Sequence, residues 1–187
     1  MPPRKKITRE DILSSALLLI REKGADALNA RELAKTLGTS TQPIFSQFAS
    51  MKEVQNAAVS AAWEHYLAYR REDMTSGRYS PYKASGMSYI RFAGEEKELF
   101  KLLFMRDRRE ETYTANEADD MATLVADMMA YPLDTARRFH FAMWIFVHGI
   151  ATMIATDYLT LSEETVSALI TDTFRGLKRQ YDTEEPI

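Results

Sequence analysis

The stretch Thr39-Ser40-Thr41-Gln42-Pro43-Ile44-Phe45-Ser46-Gln47 concentrates side chains that can recognise another molecule without transforming it. With Ile44 and Phe48 as the inward pair of a short helix, a turn of about 100° per residue sets Gln42 and Ser46 on the opposite face. Pro43, Phe45 and Gln47 then lie on the flanks. Gln pairs bidentately with adenine, Ser hydrogen-bonds several base edges, and Pro or Phe meets a thymine methyl. The hydroxyls of Thr39, Ser40 and Thr41 gather at the start of that helix, where hydroxyls and N–H groups suit phosphate. Lys52 and Arg31 each stand in the first turn of a flanking helix, where a cation opposes the helix dipole and gains from an anionic partner. A merely solvated polar face is the competing account, and for Arg31 both accounts stay open.

Local signals predict the elements that carry these residues. Asn29 and Glu32 form a capping-box pattern, as do Thr8 with Asp11 and Ser50 with Glu53. The first helix runs from about Arg9 to Lys23 with Leu13, Ala16, Leu17 and Ile20 inward, and Gly24 ends it. The second carries Leu33, Ala34 and Leu37 and stops at Gly38. Ser40 caps the third. Two helices joined around a glycine form the helix-turn-helix pattern that lays a helix in the DNA major groove. A long fourth helix follows, about 51–74, because no Gly or Pro interrupts it. Further helices carry Met87 to Phe92, Lys97 to Met105, Ala115 to Ala130, Asp134 to Thr156, and the stretch after Ser162. Glu95-Glu96 and Asp119-Asp120 look like solvated faces, and Arg106 to Glu111 like a charged loop. The expected fold is all-α. Residues 1–52 form a three-helix DNA-binding domain that continues into the linking helix, and 75–187 form a larger helical domain for ligand binding and dimerisation.

Charge follows the same division. The 187-residue chain has a net charge of −3, yet residues 1–52 hold nine Lys/Arg against five Asp/Glu, and the remainder holds 15 against 22. A basic small unit joined to an acidic larger one places the polyanionic partner at the N-terminal part.

Other classes find little support. There is no cysteine, which excludes disulfides and thiolate metal sites and fits a reducing cytoplasm. Met1-Pro2-Pro3-Arg4-Lys5-Lys6 lacks the apolar run of a signal peptide. Phe139 to Thr156 is 18 residues without a formal charge, at the lower limit for a membrane span. His140, His148 and Gly149 within it favour a soluble helix packed on both faces, so no membrane partner is expected. His140 and His148 point about 80° apart on a straight helix, poor geometry for a chelate. No metal, cofactor or catalytic residue is expected: the phosphate-loop, His-Glu-x-x-His and Gly-x-Ser-x-Gly patterns are all missing.

The last two long helices carry more apolar surface than one packing face needs. Phe139, Phe146 and Ile150, with Val166, Leu169, Ile170, Phe174 and Leu177, are the expected homodimer interface, built as a four-helix bundle. A larger intrachain core is the alternative.

Taken together, these segments resemble the tetracycline-repressor (TetR) family of transcription regulators. The likeness is most specific from Ile12 to Val54, through Ala30-Arg31-Glu32-Leu33-Ala34, Leu37-Gly38-Thr39-Ser40, Ile44-Phe45-Ser46-Gln47-Phe48 and Lys52-Glu53. A second segment, Trp144-Ile145-Phe146-Val147-His148-Gly149, resembles the Trp-His-Gly subclass of ligand-binding domains. Family members usually have a phosphate-bonding Tyr where Phe45 stands, and Pro43 within the recognition helix is unusual. The resemblance implies a dimer on a palindromic double-stranded operator, and a small-molecule effector held in a cavity among helices four to eight. Tyr66, Met87, Phe104, Met105, Met143 and His148 are the lining candidates, and their chemistry favours an apolar or cationic-aromatic effector. The implied function is a ligand-responsive regulator, in most of the family a repressor. The alternative is a helical small-molecule binding protein whose N-terminal unit docks a protein.

Overall fold

Helix α1 (Arg9–Lys23) opens on a reciprocal cap: the Asp11 N–H donates to Thr8 Oγ1 at 3.1 Å and the Thr8 N–H donates to the Asp11 carboxylate at 2.9 Å. Its buried side chains are Ile12, Ala16, Leu19 and Ile20. Leu13 and Leu17, expected inward, are only half-buried, because the helix turns its Ile12–Leu19 edge to the core. Gly24, at φ +81°, ends it. After a short turn come α2 (Ala30–Thr36), α3 (Gln42–Gln47) and α4 (Met51–Thr75), then α5 (Pro81–Glu95), α6 (Lys97–Phe104), α7 (Asn116–Met129), α8 (Leu133–Ala155) and α9 (Glu163–Thr183). This computed structural model describes residues 7–107 and 116–183, and the side chains of 116–119 are outside the description. The basic run at 4–6, most of the charged loop after Arg106, Ala115, Asp119 and the last four residues therefore lie outside the described residues. Within them the fold is all-α, with no strand.

Tertiary contacts divide the chain into two units, one reaching Leu67 and taking in Glu96–Arg106, the other made of Ala68–Glu95 and the chain from Asp107 onward. The expected borders at 52 and 75 follow charge and helix ends. The contacts divide α4 between Leu67 and Ala68 and assign α6 to the N-terminal unit.

In that unit α2 and α6 pack on α1. Glu96, read from the sequence as solvated, is instead half-buried. It accepts a bidentate pair from Arg21, at 2.7 and 2.9 Å, and meets His65 Nε2 at 2.9 Å. Burial pushes its carboxyl up, but the bonds from Arg21 and His65 outweigh burial and hold it below the usual range. Sequence spacing could not show this, because Arg21 lies 75 residues away.

In the second unit α5, α7 and α9 pack around α8. Ala136, Phe139, Met143, Val147, Ile150, Ala151 and Ala155 form the buried face of α8. Its other face is open, with Phe141 60%, Ile145 52% and Trp144 42% exposed. This corrects the expectation of packing on both faces. α8 is also the one helix, among the described residues, long and apolar enough to cross a membrane by length and composition, a test that soluble core helices pass too.

Candidate nucleic-acid interface and effector-binding unit

The helix-turn-helix is built by local caps and one glycine. Asn29 Oδ1 accepts the N–H groups of Arg31 and Glu32, both at 3.1 Å, and so satisfies two open donors of α2. The expected reciprocal bond from Glu32 is not made. Its carboxylate pairs with Lys23 at 2.7 Å, which draws it below its ordinary range. At the other end Gly38 takes φ +65°, its N–H donates to Lys35 O, and the Thr39 N–H donates to Ala34 O. That pair of bonds is a Schellman motif, and the left-handed residue within it is easiest for Gly.

The cap of α3 differs from expectation. Thr41, not Ser40, is the N-cap residue; it sits in helical backbone and makes no side-chain cap bond. Pro43 occupies the first turn, where its missing N–H costs no intrahelical bond. Ile44 and Phe48 are buried, at 0% and 2% exposed. Gln42, Ser46 and Phe45 face solvent, and Thr39, Thr41, Pro43 and Gln47 are half-buried at the edges. Ser40 is exposed in the turn. The Ser46 hydroxyl donates to Pro43 O at 2.8 Å, so it offers lone pairs rather than its proton to a ligand. Arg31 and Lys52 are exposed, and no side-chain partner within the described residues neutralises either. One surface of the first unit thus presents an amide, hydroxyls, an aromatic ring and two open cations around a short helix.

The lining candidates fall into both units. In the first, Tyr66 is buried and packs edge-on against Phe104 at 5.2 Å, with Trp63 5.4 Å from Tyr66 and 5.8 Å from Phe104; Met105 is 41% exposed. In the second, Met87 and Met143 are buried and His148 is half-buried. Two Tyr–His pairs cross from α5 to α8: Tyr82 with His140 Nδ1 at 3.0 Å and Tyr89 with His148 Nδ1 at 2.8 Å. Burial pushes His140 down to about 4, lowers His148, and raises the Tyr82 phenol. Lys83 Nζ bridges to the hydroxyls of Ser167 and Thr171 on α9 at 2.7 and 2.8 Å. Neither tyrosine nor Lys83 was among the expected lining residues; the tyrosines stand seven apart on α5, a two-turn spacing that could have flagged them. A surface groove of about 400 Å³ is lined by residues including Arg78, Tyr79, Glu163 and Arg175. Among the described residues no cluster of His, Asp or Glu could hold a metal ion.

The expected interface residues divide by burial. Phe139, Ile150, Val166 and Ile170 are 5% exposed or less and lie in the protomer's own core. Phe139 packs on Phe174 at 5.3 Å and Tyr181 at 5.5 Å. Phe146, Phe174 and Leu177 are half-buried, and Leu169 is exposed. The open apolar face is instead the side of α8 where Phe141 stacks on Trp144 at 6.0 Å and Trp144 on His148 at 5.1 Å.

Two family profiles match the chain. The one described as bacterial regulatory proteins, tetR family, matches residues 12–58, and the one described as tetracyclin repressor-like, C-terminal domain, matches residues 82–177. The chain belongs to the TetR family. It is therefore a DNA-binding regulator with a helix-turn-helix unit and a C-terminal ligand-binding unit. Solved structures share this TetR fold. A protein with unknown function from Rhodococcus sp. RHA1 matches with TM-score 0.74 and 22% identity, covering 94% of this chain and 98% of that one. A TetR-like transcriptional regulator from the same organism matches with TM-score 0.72 and 11% identity, covering 98% and 100%. A TetR variant from Acinetobacter baumannii AYE in complex with minocycline matches with TM-score 0.62 and 16% identity, covering 94% and 99%. Among curated proteins no sequence match is found.

Proposed function

We propose that this TetR-family protein is a cytoplasmic homodimeric repressor that leaves a palindromic operator when a small apolar or cationic-aromatic effector binds. The observation that carries the DNA half is the exposed Gln42–Phe45–Ser46 surface of α3, flanked by the uncompensated cations of Arg31 and Lys52. In this reading Gln42, Ser46 and Gln47 read base edges, and Pro43 and Phe45 lie against thymine methyls. Thr39, Ser40, Thr41, Arg31 and Lys52 hold phosphates and set the register. Phe45 has no hydroxyl for a phosphate, so its share is apolar contact alone.

The effector reading rests on the C-terminal unit, where Met87 and Met143 are buried and His148 is half-buried. The Acinetobacter structure holds minocycline in that protein. Within the family, the run from Trp144 to Gly149 supports the Trp-His-Gly subclass. The dimer reading moves to the exposed Phe141, Trp144 and Ile145 of α8, joined by Leu169 of α9. Two recognition helices on one dimer then meet successive major grooves. An effector that favours a different spacing shifts the population away from the operator-bound form.

Selection of bound sequences from a random duplex library tests the reading. An enriched palindrome is the expected result; no enrichment at any salt concentration moves the N-terminal unit to a protein-docking role. Lys52→Ala sharpens the test. It is expected to weaken specific and nonspecific binding alike and to reduce the salt slope by about 1 per subunit contact. A normal slope with lost sequence preference contradicts the phosphate assignment.

A further inference from the structure

Helix α3 is six residues long, less than two turns, and lacks a side-chain cap at its start. A helix this short does not hold its own geometry in water. Burial of Ile44 and Phe48 anchors it, but apolar contact is non-directional and leaves rotation and tilt poorly set. Directional bonds must supply the rest, and they converge on the C-terminal end of α3 from one side chain of α1.

Arg9 Nη1 donates to Gln47 O at 3.0 Å, one of the carbonyls that a helix end leaves open. The same nitrogen donates to Glu53 Oε1 at 3.0 Å, and Nη2 lies 3.0 Å from that oxygen. The guanidinium carbon sits 3.8 Å from the centroid of the Phe48 ring. Glu53 closes the circuit: its Oε2 accepts the Ala49 N–H at 2.8 Å, and its own N–H donates to Ser50 Oγ at 3.2 Å. The expected Ser50–Glu53 box is thus shifted by one residue, with the carboxylate reaching Ala49. The Ala49 bond first, and then Arg9, hold the Glu53 carboxyl below its ordinary range. Arg9 is itself fixed as the first residue of α1, directly after the Thr8–Asp11 cap.

We propose that Arg9, through Glu53, Phe48 and the Gln47 carbonyl, is the positioning residue that sets the orientation of the recognition helix on DNA, and so governs sequence discrimination without touching a base or a phosphate. Its charge is already matched by Glu53, so it adds little to phosphate binding. Its planar fork bonds two acceptors while stacking on a ring, a combination lysine cannot reproduce. The proposal rests on DNA reading by α3.

The test uses the full-length protein and the charge-conserving variant Arg9→Lys, with Glu53→Gln as a second variant should the first fail to fold. Amide exchange at residues 44–49 reads the clamp independently of DNA, and a library-selected sequence profile with a salt titration reads positioning. The expected result is faster exchange confined to α3 and its following turn, an unchanged salt slope, and a ratio of operator to random-DNA affinity lowered by about tenfold and spread over the whole half-site. Unchanged exchange overturns the clamp. Faster exchange with a wild-type profile overturns positioning, and a salt slope reduced by about 1 per subunit makes Arg9 a phosphate contact instead. If the wild type itself enriches no sequence, the DNA assignment of α3 fails, positioning fails with it, and the exchange result alone decides the clamp.

Discussion

The two units solve different problems with the same secondary structure. The N-terminal unit shapes its working surface with directional bonds: the Thr8–Asp11 cap, the Asn29 cap, the Schellman turn at Gly38 and the Arg9–Glu53 circuit. Its surface around α3 is polar, with two open cations. The second unit relies on long helices packed around α8, joined across α5 by two Tyr–His pairs and exposing stacked aromatic rings. Short helices need local bonds because they bury little area each, whereas long helices are held by area. The difference teaches where each unit is fragile: the first in geometry, the second in packing volume and in the protonation of its half-buried imidazoles.

The largest effect belongs to the packed side. Phe139 is fully buried among Phe174, Tyr181 and Tyr131. Phe139→Ala is expected to cost about 3–5 kcal/mol of stability, read from urea unfolding. A loss below about 1 kcal/mol would mean that α8 packs elsewhere in solution. Three residues from Phe141 on the same helix stands Trp144, and next to it Ile145, 52% exposed. Ile145→Glu is expected to keep the helix content and yield a monomer by sedimentation, with tight operator binding lost. A dimer that survives the change places the interface elsewhere.

A smaller effect comes from pH. His140 is depressed to about 4 in the fold against an ordinary value near 6.5. Between these values the unfolded chain binds the proton and the folded chain does not, so unfolding is favoured as pH falls. Stability is expected to be full above about pH 6.5 and to decline by about 2–3 kcal/mol toward pH 4, with His148 adding in the same direction. His140→Asn should flatten the curve in that window; an unchanged slope assigns it to other groups.

On the DNA side the effects are smallest in stability and sharpest in selectivity. Gln42 is exposed, so Gln42→Ala is expected to leave thermal unfolding nearly unchanged. It should remove about 1–3 kcal/mol of discrimination at one position of each half-site, seen as a flattened column in the selected profile. An unchanged profile removes Gln42 from the reading set.

What was legible follows the range of the interactions. The Thr8–Asp11 box, the Gly24 and Gly38 stops and the burial of Ile44 and Phe48 depend on neighbours within a few residues, and spacing alone revealed them. The cap of α3 failed because Thr41 starts the helix one residue later than Ser40 would. Which apolar stripe of α8 lies inside was illegible: Phe139 and Phe141 are both large aromatic residues, and only the positions of α5, α7 and α9 choose between them. Glu96 looked solvated because Arg21 and His65 lie far along the chain.

The sequence by itself determined the helical class, the helix-turn-helix, the concentration of basic charge toward the N-terminus and the residues that α3 shows to solvent. Each of these arises from local propensity, caps and a 3.6-residue period, all of which act over a few residues. Tertiary structure alone decided the assignment of α6 to the N-terminal unit, the open face of α8, the Tyr–His pairs and the grip of Arg9 on α3. Those depend on contacts between residues 38 to 75 positions apart, whose geometry no local pattern encodes.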